Sequence, residues 1–212
     1  YGYRNLRSFP LMPHFHGLPY IDVRLSFNSF IPNDLDNDLA SRLVDYYINQ
    51  LVKEPALHDK VEFEIVLSCY TFDIEFRLRR LRDAGFSDKD CRAISDSLRN
   101  LTNNIIHPTH GLWKTDADKL NILTSRRTQV LSSGMGLLEK IYWLLEDGKR
   151  YGTLPFAGLA RAGFIAIQML KSFVVAEIFS QEDYEAYMSS ISTISREMAR
   201  DLAALNKDIF LN

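Results

Sequence analysis

Cysteine is nearly absent from this chain: Cys69 and Cys91 are the only 2 in 212 residues. They have neither a metal-ligand spacing nor the framework of pairs that a disulfide scaffold needs. They read as buried thiols in a reducing compartment. A surplus of one charge is also missing, since 25 Lys and Arg face 27 Asp and Glu and the pI is about 6.2. A general nucleic-acid binder needs a basic surface to displace counterions, so that class is excluded. The longest apolar run, 163–179, is broken by Gln168, Lys171 and Glu177. It is too short and too interrupted to span a bilayer and reads as a buried helix. No secretory leader is visible after Tyr1, so the expectation is a cytoplasmic protein or a piece of one, with no membrane and no nucleic acid among its partners. Repeats, low-complexity tracts and flexible linkers are lacking. So are a Walker-type loop, a nucleophile elbow and a Rossmann fingerprint. A self-sufficient nucleotide-dependent enzyme should show a phosphate grip. This chain therefore either binds without catalysing or supplies one side of a site completed elsewhere.

What is present is a full set of core-forming residues, 46% of the chain, enough for one large domain. From Tyr20 to Phe30, Ile21, Val23, Leu25 and Phe27 alternate with Asp22, Arg24, Ser26 and Asn28. Period 2 predicts a strand with one apolar and one polar face. Val61 to Leu67 alternates likewise, with Glu62 and Glu64 opposite Val61, Phe63 and Ile65, and predicts the partner strand. The remainder is helical in pattern. Helices are expected from Asn33 to Val52, Phe72 to Ala84, Ser87 to Ile106, Asp116 to Asp147 with a break near Gly134 and Gly136, Gly158 to Ile178, and Ser180 to Asn206. Ser87 with Asp90 forms a capping box, and Gly85 is a left-handed stop. Residues 148–155 read as a loop. The fold class is mainly α (α+β), about six helices with a small two-stranded sheet, in a single domain.

Three constellations bear on chemistry. If the strands pair, Asp22, Arg24 and Asn28 lie beside Glu62 and Glu64 as a mixed-charge floor. Arg24 then takes a carboxylate in a two-pronged contact and a glutamate takes an ammonium. The plain alternative is an exposed salt bridge from Arg24 to Glu62 or Glu64, worth little. The second constellation is the basic loop at Lys149 and Arg150, which most simply neutralises a helix end. Arg161 follows it in a helix otherwise apolar, so it must find a partner or an opening to solvent. The third is His107 and His110. Pro108 and Gly111 argue against a shared helical metal site. Arg126, Arg127 and the cluster Arg77, Arg79, Arg80 and Arg82 read as solvated faces, the cluster also as a docking surface.

Several strings together resemble the central region of phosphoenolpyruvate-synthase-like proteins, in the branch of the dikinase superfamily that includes L-glutamine kinase. They are Tyr1-Gly2-Tyr3-Arg4; Pro19-Tyr20-Ile21-Asp22-Val23-Arg24 with Phe27-Asn28-Ser29-Phe30; Leu57-His58-Asp59-Lys60-Val61-Glu62-Phe63; and Gly152 through Arg161. The resemblance implies a piece of a larger phosphotransferase, lying between an ATP-grasp domain and a swivelling phosphohistidine domain. No cofactor is expected in this chain; ATP and Mg2+ are implied for the full-length protein, and a small-molecule acceptor is the implied partner. On this reading Arg24 binds an acceptor carboxylate, and Asp22, Glu62 or Glu64 binds its ammonium. Asn28 orients a side-chain amide, and Arg161 offsets arriving phosphate charge. The competing expectation is a helical spacer or interaction module that positions neighbouring domains and binds no small molecule.

Overall fold

The N-terminal segment is pinned by backbone pairing. Tyr3 bridges Pro32, Arg4 N–H donates to Ile31 O at 2.8 Å, and Asn33 N–H donates to Gly2 O at 2.8 Å. Gly2 has φ +86°, and a Cβ there would come within 2.7 Å of Leu101. A larger residue would meet backbone strain and overlap at once. This computed structural model describes residues 1–6, 9–194, 197 and 198.

The protein is mainly α-helical with a small two-stranded antiparallel sheet. That sheet is not where alternation predicts it. Strands β1 (His14–Phe15) and β2 (Leu18–Pro19) form a tight hairpin, with His14 opposite Pro19 and Phe15 opposite Leu18. His16 and Gly17 both have positive φ, as a two-residue hairpin turn requires.

The two expected strands are helices instead. Val23–Asn28 is α1, and Asp22 caps it by accepting from Leu25 N–H at 2.9 Å. Of the alternating apolar set, Phe27 is buried but Ile21 is 55% exposed. The buried residues here are Phe27 in α1 and Phe30 and Ile31 in the turn that follows it. With no strand to pair with, local capping prevails over period 2. The second stretch forms a single turn, α3 (Val61–Glu64), after the 3-10 turn Pro55–Leu57.

Helix α2 (Asn37–Lys53) starts three residues after the position a cap at Asn33 predicts. Asp36 takes the cap, accepting from the N–H groups of Asp38 and Leu39. Helix α4 (Ile74–Asp83) and helix α5 (Asp88–Ile106) follow, and both halves of the Ser87–Asp90 capping box form. The main core joins α1, α2, α4 and α5 to the segment 65–67. Tyr47 lies at its centre, and its hydroxyl accepts from Leu67 N–H at 3.0 Å.

Helices α6 (Leu112–Ser132) and α7 (Leu137–Asp147) break between Ser133 and Gly136 as expected. The expected loop after them is a π-helical turn, Gly148–Thr153, which runs straight into α8 (Leu154–Val175). The helical run Leu137–Val175 is long and apolar enough to cross a membrane by length and composition. Helix α8 is not the fully buried helix its composition suggests. Its buried positions are Pro155, Gly158, Ile165, Gln168 and Ser172, so the buried stripe uses small and polar residues and leaves much of the apolar surface half-exposed. A second cluster gathers Cys69, Leu101, Ile105 and Ile165 under Tyr1 and Tyr3.

The chain divides into two compact units, Tyr1–Met169 and Leu170–Asn212. In the second, Ser180 and Asp183 form a capping box for α9 (Gln181–Ser190). Helix α9 ends at Ser190, where Ile191 is extended, rather than at the expected Asn206, and most of the stretch beyond lies outside the described residues.

Candidate functional site

Arg161, in the second turn of α8, is the charge around which a site forms. Its side chain is 17% exposed, and Nη1 lies 3.3 Å from Glu62 Oε1 on α3. The guanidinium carbon stands 4.4 Å from the centre of the Phe30 ring and 5.2 Å from that of Tyr3. Two aromatic faces and one carboxylate thus hold the cation in a partly dry setting, where each attraction is stronger than at the surface. The neighbours are fixed in turn. Tyr3 donates its hydroxyl to Ser68 O at 2.6 Å. Gln168, two turns further along α8, donates to Glu62 O at 2.8 Å. Phe63 packs edge-on against Phe164, with ring centres 5.2 Å apart. Burial pushes the Tyr3 phenol well above its ordinary range, with the Arg161 charge opposing.

Beside Arg161 is a cavity of about 420 Å³, a volume in the range of small-molecule sites. Leu112, Leu154 and Ala157 give it an apolar wall, with Tyr1 and Tyr3 at one side and Thr115, Asp116 and Lys119 of α6 at the other. Asp116 is only 8% exposed in its side chain, and Lys119 Nζ lies 2.8 Å from its Oδ1. Burial, and after it the neighbouring Asp116 carboxylate, drives the Tyr1 phenol up. Gly158 makes this close arrangement of α8, α6 and the N-terminus possible. A Cβ at that position would overlap Asp116 Oδ2 and would lie 2.5 Å from the Tyr1 ring.

Of the residues expected to share a floor, Glu62 reaches the site, where it meets Arg161, which was expected apart from that floor. The other expected positions serve α1 or face solvent. Asp22 is the α1 cap. Arg24 pairs with Asp45 of α2 at 2.6 Å, with both side chains more than half exposed. Asn28 donates to Arg24 O at 2.9 Å. Glu64 is exposed on α3. The expected floor depended on strand geometry, and once both stretches are helical their polar residues no longer share a face.

A second, more open cleft of about 380 Å³ lies between α2 and the turn before α5. Its charges pair at the surface: Arg42 bridges to Asp90 at 3.1 Å and stacks on Phe86. Two of the arginines expected to be solvated turn inward instead. Arg77 donates to Val66 O at 3.2 Å, and Arg126 pairs at 2.7 Å with the buried Asp147. Lys149 pairs with the Glu146 side chain at 2.7 Å; the helix end it was expected to neutralise is absent, because the chain stays helical into α8. The rings of His107 and His110 stack, 3.3 Å between centres. No group of three or more His, Cys, Asp and Glu that could hold a metal gathers among the described residues.

Tyr1, Tyr3, Asp116, Lys119 and Gly158 were missed as site residues. The signals open to sequence reasoning were the i, i+3 pair Asp116 and Lys119, and a glycine one turn before the lone arginine of an apolar helix. Each segment carrying the family resemblance reaches Arg161 or its cavity. Tyr1 and Tyr3 come from the first, Phe30 from the second, Glu62 from the third, and Gly158 and Arg161 from the fourth. Family models, curated proteins and solved structures give no match to this chain.

Proposed function

We propose that this chain is the acceptor-binding module of a phosphoenolpyruvate-synthase-like phosphotransferase, with the acceptor held in the cavity beside Arg161. The carrying observation is the meeting of those separate segments at one partly buried arginine next to an open, mostly apolar cavity. A spacer has no use for a partly buried cation braced by two rings and a carboxylate, because desolvating it costs free energy that plain apolar packing avoids. In this reading Arg161 binds the acceptor's anionic group, and Glu62 with the rings of Tyr3 and Phe30 fixes its direction. ATP and Mg2+ belong to an ATP-grasp domain, and the phosphate arrives on a phosphohistidine domain of the same polypeptide. No residue of this chain is assigned as phosphocarrier.

Thermal-shift screening of the chain against amino acids, nucleotides and sugars tests the reading. The expected result is stabilisation by an anionic or zwitterionic small molecule that Arg161→Met abolishes. The same stabilisation in Arg161→Met refutes the site, and no stabilisation by any compound refutes the module.

The second reading is a docking module. The outer surface of α7 favours it, for Leu137, Leu138 and Leu145 are 75%, 81% and 62% exposed. An apolar stripe of that kind marks an interaction surface.

A further inference from the structure

The cavity has a second charged pole opposite in sign to Arg161. Asp116 places a carboxylate beside Thr115 and Lys119, next to the apolar wall of Leu112, Leu154 and Ala157, and its side chain is 8% exposed. A carboxylate in such surroundings needs a cation to answer it. The answering group is Lys119, Nζ 2.8 Å from Oδ1, and this lysine is itself 34% exposed. A primary ammonium therefore already stands in the cavity, tethered to the chain by a flexible stem that can swing to solvent. The carboxylate it faces has little freedom, because Gly158 and Tyr1 pack against the same group.

We propose that Asp116 is the ammonium-binding residue of this cavity and that Lys119 competes for it as an internal surrogate. The ligand is then an amino acid, with its carboxylate toward Arg161 and its ammonium toward Asp116. This deepens the acceptor-site reading and rests on it. The two lining residues then act in opposite senses. Asp116 selects for a ligand ammonium, while Lys119 limits affinity by occupying the same oxygen. If Lys119 instead served as an anion-binding cation, its removal would weaken binding.

Isothermal titration calorimetry of the 212-residue chain with the common L-amino acids, and with the des-amino carboxylic acid of each, decides this. An amino acid that binds should lose at least about tenfold in affinity when its amino group is removed, the range for a lost charged hydrogen bond. Asp116→Asn should lose a similar factor and cease to distinguish the two compounds, and Lys119→Met should bind the amino acid several-fold more tightly. Equal affinity for the des-amino acid, or weaker binding by Lys119→Met, overturns the assignment. The comparison of the two compounds on the unaltered chain decides the matter even if Asp116→Asn does not fold. Heat with carboxylic acids irrespective of their amino group, or no heat with any of these compounds, refutes the inference alone, whereas the acceptor site falls only if the wider thermal-shift screen is blank as well.

Discussion

Arg161 sits in a mostly apolar helix, and its surroundings explain how that is tolerated: two ring faces, Glu62 and the edge of a cavity. The need for a partner was legible in the sequence, because a lone arginine among apolar residues must be answered. Its partners were not legible, because they come from segments more than ninety residues upstream, and alternation hid the helical turn that carries Glu62. Arg24 shows the reverse. Its residue type suits anion binding, but it spends its charge on Asp45 at the surface. Arg24→Ala should therefore cost under about 1 kcal/mol and leave ligand binding unchanged, as urea denaturation and calorimetry would show. A loss of binding would return the site to α1. Gly158→Ala should be far more costly, roughly 1–3 kcal/mol for overpacking, because the new methyl meets Asp116 and Tyr1. Unchanged stability in a urea titration would mean that both neighbours can retreat, and that Gly158 does not hold them.

At the level of elements, the helices with strong end signals were readable, and the ambiguous short stretches were not. The Ser87–Asp90 box forms as its spacing dictates. The Ser87 backbone N–H, ahead of the Ser87 hydroxyl and Arg42, holds the Asp90 carboxyl below its ordinary range, and partial burial opposes this. A carboxyl lowered in the folded state adds stability that is complete above its unfolded pKa, about 3.9, and is lost as pH falls through the folded value. Ser87→Ala should cost about 1 kcal/mol at neutral pH but keep most of the acid limb, because the backbone N–H at 87 remains, whereas Asp90→Asn should flatten the acid limb below about pH 4, both measurable by urea titration at several pH values. An acid limb that keeps its slope in Asp90→Asn would assign the pH dependence elsewhere. In α1 the period-2 pattern was real as a pattern, yet the cap at Asp22 starts a helix whose buried residue is Phe27. Alternation over so short a span does not separate a strand from a helix that buries only one of its alternating positions. On α7, Leu138→Gln should change stability by no more than about 0.5 kcal/mol, since the residue is 81% exposed. A larger loss in thermal denaturation would mean that α7 is covered in solution.

For the molecule as a whole, the mainly helical class was legible from composition and periodicity. The position of the sheet was not, because β1 and β2 together are only four residues long and exposed. The buried phenols give the whole fold an alkaline limit. Burial, the largest effect at each, raises both Tyr3 and Tyr47. Arg161 opposes it at the first and the Leu67 N–H at the second. A phenol raised in the folded state contributes stability that is intact below its unfolded pKa of about 10 and is lost as pH climbs through the folded value. Stability should therefore fall as pH rises above about 10, and urea midpoints that stay flat there would contradict the buried placement of these groups. The claim on which the function rests is narrower: one cavity, beside Arg161, takes the ligand. The most direct measurement is amide chemical-shift mapping of the chain titrated with the compound that stabilises it most. The account predicts that the largest shifts fall on Tyr3, Glu62, Asp116, Gly158 and Arg161. Shifts centred on Arg24 and Asp45 or along α7, with those residues unmoved, would contradict it.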